Sequence, residues 1–114
     1  SHIRIVPVQK ELQLMPGEIR EVNFMITSTD STWTLAGNPG FVAEIHSLIF
    51  ENARLVKDER KDFFVEDKMV GNGETYTLNI QAPEERGSYS LYLDVGIGWL
   101  PSAINSEQIV IEVK

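Results

Sequence analysis

The stretch Ala82-Pro83-Glu84-Glu85-Arg86-Gly87-Ser88-Tyr89-Ser90-Leu91-Tyr92-Leu93-Asp94-Val95 decides how the rest of the chain is read. Its second half alternates: Tyr89, Leu91, Leu93 and Val95 fall on one side of an extended backbone, and Ser90, Tyr92 and Asp94 on the other. A two-residue period is the mark of a strand with one buried face. The first half, broken by Pro83 and closed by Gly87 around charged residues, reads as a crossing between two layers.

Working outward, the same period recurs in short runs separated by Gly, Pro, Asn and Asp. Glu18 to Thr27 puts Val22, Phe24 and Ile26 on one face; Thr75 to Gln81 does so with Tyr76, Leu78 and Ile80; the last strand does so with Ile109, Ile111 and Val113. Phe41 to Phe50 is apolar on both faces and reads as a central strand, with Phe41, Ala43, Ile45 and Ile49 alternating against Val42, Glu44, His46, Leu48 and Phe50. Ile3, Ile5 and Val8 form an edge strand that Pro7 interrupts, and Leu12 to Met15 resumes it before the turn at Pro16-Gly17. Trp33-Thr34-Leu35 fits a further short strand, and turns fall at Gly37 to Gly40, Glu51 to Arg54, Gly71 to Gly73 and Gly96 to Gly98. The charged stretch Lys57 to Lys61, between Leu55-Val56 and Phe63-Phe64-Val65, fits a hairpin tip or one turn of helix.

No window places apolar residues at helical spacing over three turns, so the count is about seven to nine strands and no helix. A sandwich or a jelly roll would accommodate them. Tyr89, just after the crossing, can return its hydroxyl to the crossing's backbone, which is the tyrosine corner of immunoglobulin-like folds. The expected fold is therefore an all-β, two-sheet antiparallel immunoglobulin-like (fibronectin III-like) sandwich. It occupies residues 3–114 as one domain, with Ser1-His2 a tag remnant on a piece of a longer protein. Val22, Phe24, Leu78, Leu91, Leu93 and Ile111 should be buried.

A chain of 114 residues that is 42% hydrophobic fills one core and hardly two. No run approaches the ~18 apolar residues that span a bilayer, so membrane insertion is not expected. The balance of 17 acidic against 10 basic residues, net charge -7, with no cluster of Lys or Arg, disfavours nucleic acid and anionic lipid as partners. Neutral sugars, cations and basic protein surfaces remain acceptable, although an acidic balance also serves solubility alone. With no Cys there is no disulfide framework or thiolate site, and both cytoplasmic and extracytoplasmic settings stay open.

The chain offers little for catalysis. Leaving the tag aside, His46 is the one imidazole; it sits in mid-strand, and no Gly-x-Ser-x-Gly elbow accompanies it. A transition-metal site lacks a second imidazole or a thiolate. Asp58, Glu59, Asp62, Glu66 and Asp67 could supply oxygen to calcium, but Lys57, Arg60, Lys61 and Lys68 interleave them, as in a solvated hairpin. Neither Gly71-Asn72-Gly73 nor Gly96-Ile97-Gly98 leads into a helix, so neither is a phosphate loop. No enzyme, metal or cofactor is expected. What remains is aromatic: Trp33, Trp99, Tyr92, Tyr76, Phe63 and Phe64. Aromatic faces stack on pyranose rings while Asp, Asn, Gln or Arg bond the hydroxyls. Trp99 in its loop and Tyr92 on an outward face suit that role, with Asp94, Asn79, Gln81 and Glu44 as polar companions; Trp33 and Trp99 could equally plug the ends of the sandwich.

Several segments together resemble a bacterial immunoglobulin-like domain appended to glycosyltransferases, methyltransferases and exporters of surface polysaccharide. They are Leu14-Met15-Pro16-Gly17-Glu18, Ser31-Thr32-Trp33, Ile45-His46, Gly73-Glu74, Ala82 to Val95, and Gly98-Trp99-Leu100. The chain departs from that pattern at Leu100, where an aromatic residue usually stands, and at Ile45, where Tyr would precede the His. The resemblance implies a non-catalytic module that recognises a carbohydrate, a bacterial surface polysaccharide, through Trp99, Tyr92, Trp33, Asp94 and His46. It also implies a bacterial cytoplasmic setting on a membrane-associated parent, favoured over an extracytoplasmic one. The alternative is an immunoglobulin-like interaction or spacer domain that contacts neighbouring domains and orders the assembly of its parent.

Overall fold

The computed structural model describes residues 3–28, 42–64, 75–97 and 106–114. They form eight strands, β1 (Ile3–Pro7), β2 (Glu11–Leu14), β3 (Ile19–Ser28), β4 (Val42–Glu51), β5 (Arg54–Phe64), β6 (Thr75–Gln81), β7 (Gly87–Ile97) and β8 (Ile109–Val113). A small sheet has the order β1-β3-β6 and a large sheet the order β2-β8-β7-β4-β5. This is a β-sandwich whose strand order follows the immunoglobulin pattern, with the first strand divided between the sheets. No helix among the described residues is long and apolar enough to cross a membrane. The expected strand at Trp33-Thr34-Leu35, the turns at Gly37 to Gly40 and Gly71 to Gly73, and the loop carrying Trp99 lie outside the described residues.

The core lies where the inner faces meet. Val22, Phe24 and Ile26 from β3 and Leu78 and Ile80 from β6 face Ile45, Ile49, Leu91, Leu93, Ile109 and Ile111 from the large sheet, all buried. All six positions expected to be buried from the alternation are so, because every second residue of a strand under a second sheet loses its water. Tyr76 stacks on Phe24 with ring centroids 5.9 Å apart, and so belongs to the margin of the core and not to an exposed aromatic set.

The crossing behaves as its sequence requires. Tyr89 is 4% exposed, and its hydroxyl donates to the Glu85 carbonyl at 2.7 Å, closing the tyrosine corner. Burial, and then the carboxylates of Glu51 and Glu85, raise its pKa above the ordinary phenol value. Gly17 caps the other side of the same end: its φ of 70° is the left-handed region open to glycine, and an added Cβ would lie 2.7 Å from the Glu84 carboxylate.

Three expectations are corrected. The sandwich is not wholly antiparallel, since β2 pairs with β8 in parallel and Ile5 bridges Ser106 in the same sense. The chain leaves the small sheet after Pro7 and joins the large one at Glu11. Val8 N–H donating to Asn23 O at 2.8 Å, and Asn23 N–H to the Gln9 side chain at 3.0 Å, hold the switch; Lys10 and Arg4 both reach the Glu107 carboxylate. The second correction concerns Gly96 and Ile97, expected in a turn. They continue β7 opposite Glu44 and Ala43, because β4 extends far enough to supply their backbone partners.

The third correction is that Lys57 to Lys61 is neither a tip nor a helical turn but the middle of β5, paired with Ile49 to Ile45. The register turns Lys57, Glu59 and Lys61 toward the inner side, where an edge strand overhangs the small sheet. There Lys57 Nζ donates to Gln81 O at 3.2 Å and Lys61 Nζ to Asn79 O at 2.9 Å. The ammonium groups thus satisfy carbonyls along the edge of β6 while their stems cover apolar surface, and inward-pointing charge is one way a sandwich discourages edge-to-edge pairing.

Candidate functional site

The outward face of the large sheet collects three of the five expected site residues. The register sets Asp94 opposite His46, Tyr92 opposite Leu48, and Ser90 opposite Phe50. On the far side of β4, Arg60 stands opposite His46 and Asp58 opposite Leu48. Trp33 and Trp99 lie outside the described residues. Asn79 and Gln81, expected as polar companions of Tyr92, belong to β6 in the small sheet and take no part in this face. The side chains of Glu44, Phe63 and Phe64 are likewise not described.

The face has two ends. At one, His46 and Asp94 are cross-strand neighbours, and His46 Nδ1 lies 3.7 Å from Asp58 Oδ1. Asp94 is 6% exposed and the His46 side chain 18%, so this end is largely closed to solvent. The other end lies about 13 Å further along β4, at ~3.3 Å per residue. There Phe50 and Tyr92 meet edge to face, ring centroids 5.8 Å apart and planes at 81°. They open onto a hollow of about 250 Å³ shared with Asn52, Ala53 and Ser90. Tyr92 OH donates to Gln108 Oε1 at 3.4 Å, and Gln108 Nε2 donates to Ser90 Oγ at 3.0 Å, so amides and hydroxyls fringe the rings.

The β4–β5 hairpin supplies the floor of the hollow. Glu51 pairs with Arg54 across the two-residue turn Asn52-Ala53, and Asn52 adopts φ 55°, a left-handed conformation that Asn tolerates better than other side chains. Phe50, Asn52, Ser90 and Gln108 were not anticipated as site residues. The signal for Phe50 was present, since it shares the parity of His46 and Leu48. Gln108 had none, because its approach to Ser90 and Tyr92 depends on which strand flanks β7.

Chemically, the arrangement is an aromatic corner with neutral hydrogen-bonding groups at its rim, able to receive a small amphipathic surface. Among the described residues no group of three or more His, Cys, Asp or Glu is placed to hold a metal ion. What the geometry defines is a class: a β-sandwich, of eight strands among the described residues, with one amphipathic outer face. No protein-family model matches the chain, and a search of curated proteins finds none similar to it.

Proposed function

We propose that this domain is a non-catalytic module that recognises a carbohydrate, a bacterial surface polysaccharide, at the Phe50–Tyr92 end of the large sheet's outer face. The observation that supports the reading is the pairing of a partly exposed aromatic corner with the neutral donors and acceptors of Asn52 and Ser90 around one hollow, with Gln108 bonded to Ser90 and Tyr92. A pyranose offers axial C–H groups to a ring and equatorial hydroxyls to amides, which is the same division of polarity. Buried Asp94 and its neighbour His46 close the other end of the same face.

Titrating the labelled domain with neutral oligosaccharides, followed by amide chemical shifts, tests this reading. Shifts should concentrate at Phe50, Asn52, Ser90 and Tyr92, and Tyr92→Ala should weaken binding about tenfold or more while Thr77→Ala, on the other sheet, leaves it unchanged. Shifts confined to the small sheet, or none with any neutral oligosaccharide, would sink it. A second reading, an immunoglobulin-like interaction or spacer domain, is favoured by a separate surface where the β4–β5 turn faces the β6–β7 crossing.

A further inference from the structure

A groove of about 600 Å³ lies between the start of β5 and the crossing from β6 to β7. Its first wall sets Leu55 and Val56 among Glu51, Arg54 and Lys57. Phe50 pairs with Leu55 and Ile49 with Lys57, so Val56 has no partner across the strand pair and forms a bulge. Both side chains beside this irregularity are exposed, Leu55 to 48% and Val56 to 37%. Bulges re-aim side chains at the rims of sheets, and here the two adjacent aliphatic side chains offer apolar surface to the groove.

The opposite wall is Pro83, Glu84 and Glu85. The charges between the walls do not cancel. Arg54 lies 3.1 Å from Glu51, and Lys57 bonds Glu59 at 2.9 Å and Gln81, so Glu84 and Glu85, followed by the single cation Arg86, leave the exposed rim of the crossing with a net negative charge. The raised pKa of Tyr89 beneath them has burial as its first cause, with Glu51 and Glu85 adding to it and Arg54 opposing.

We infer that this groove docks an extended segment of a partner protein in which basic side chains alternate with aliphatic ones, the aliphatic side chains resting on Leu55 and Val56 and the basic ones facing Glu84 and Glu85. An extended chain presents alternate side chains to opposite walls, so one segment can satisfy both. Nucleic acid and anionic membrane present charge of the wrong sign. The inference rests on the interaction reading and is independent of the carbohydrate reading, since the groove and the Phe50–Tyr92 hollow have no lining residue in common.

The test is fluorescence polarisation with a labelled decapeptide of alternating Lys and Val at about 0.15 M salt, against the same length of Glu and Val and of Lys and Gly. Saturable binding of the Lys-Val peptide alone is expected, weakened about tenfold by Glu84→Gln combined with Glu85→Gln, and by a similar factor by Leu55→Ser combined with Val56→Ser. Unchanged thermal unfolding of these surface variants shows that the fold persists. Equal binding of the Lys-Gly peptide would mean charge attraction without a groove and would overturn the inference, as would undiminished binding to the Glu84/Glu85 variant. Binding that persists in Tyr92→Ala, but not in the groove variants, separates this site from the carbohydrate surface; loss in Tyr92→Ala alone would place the peptide elsewhere and refute it.

Discussion

The two sheets bury their inner faces alike and differ on their outer ones. The small sheet's outer face is mainly polar, carrying Glu21, Asn23, Thr77 and Asn79 beside Met25 and the exposed Ile19, with Thr77 Oγ1 donating to Asn23 Oδ1 at 2.9 Å. The large sheet's outer face carries His46, Leu48, Phe50, Tyr92 and Val110, each only partly exposed, and Asp94, which is buried. A face on which single apolar side chains are scattered among polar ones needs only to dissolve the domain. One that combines partly exposed rings with polar groups at a rim is where a ligand surface is expected.

The largest effects should show that the inner faces are equivalent. Leu91→Ala in the large sheet and Phe24→Ala in the small one each remove a side chain at most 1% exposed. Each should cost about 3–5 kcal/mol in urea unfolding. If either were harmless, the register of its strand would be wrong. Next comes the joint between the sheets: Tyr89→Phe keeps the ring but leaves the Glu85 carbonyl without its donor, for an expected loss of about 1–2 kcal/mol by the same measurement. A neutral result there would mean that the crossing is held by Gly17 N–H to Pro83 O and Ala82 N–H to Glu18 O instead.

The smallest effect concerns acid. Lys10 first, and then Arg4, hold Glu107 below the ordinary carboxylate value; the Met15 amide first, and then Arg20, do the same for Glu18. A depressed carboxylate contributes stability at pH above its unfolded value, and the contribution disappears as pH falls through the lower folded value. Unfolding midpoints followed down from about pH 6 should therefore drop on the acid side, and Glu107→Gln should flatten that limb, modestly because the groups are exposed. A steeper acid limb in the variant would reverse the assignment.

The inner faces were legible because burial acts on every second residue of a strand wherever that strand sits. Leu91, Ile111 and Val22 could thus be placed without knowing which strands are neighbours. Tyr89 was legible because its partner lies four residues away. Lys57 and Lys61 were not: their acceptors on β6 are 24 and 18 residues distant, and a run of alternating charges has the same pattern in a solvated turn as in an edge strand turned inward. The candidate surface divides in the same way. Tyr92 and Asp94 follow from their parity in one strand, whereas the meeting of Tyr92 with Phe50 and Gln108 requires that β7 lie between β4 and β8.

The sequence by itself determined that this protein is an all-β sandwich, which residues fill its core and where its crossing closes, because solvent exclusion and local turn chemistry operate over a few residues. Only the tertiary structure decided that β2 runs parallel to β8, that two lysines cap the edge of β6 and that Phe50 joins Tyr92. Those features depend on which strands become neighbours, and hydrogen bonds and ring contacts act over only a few ångströms between groups the chain holds far apart.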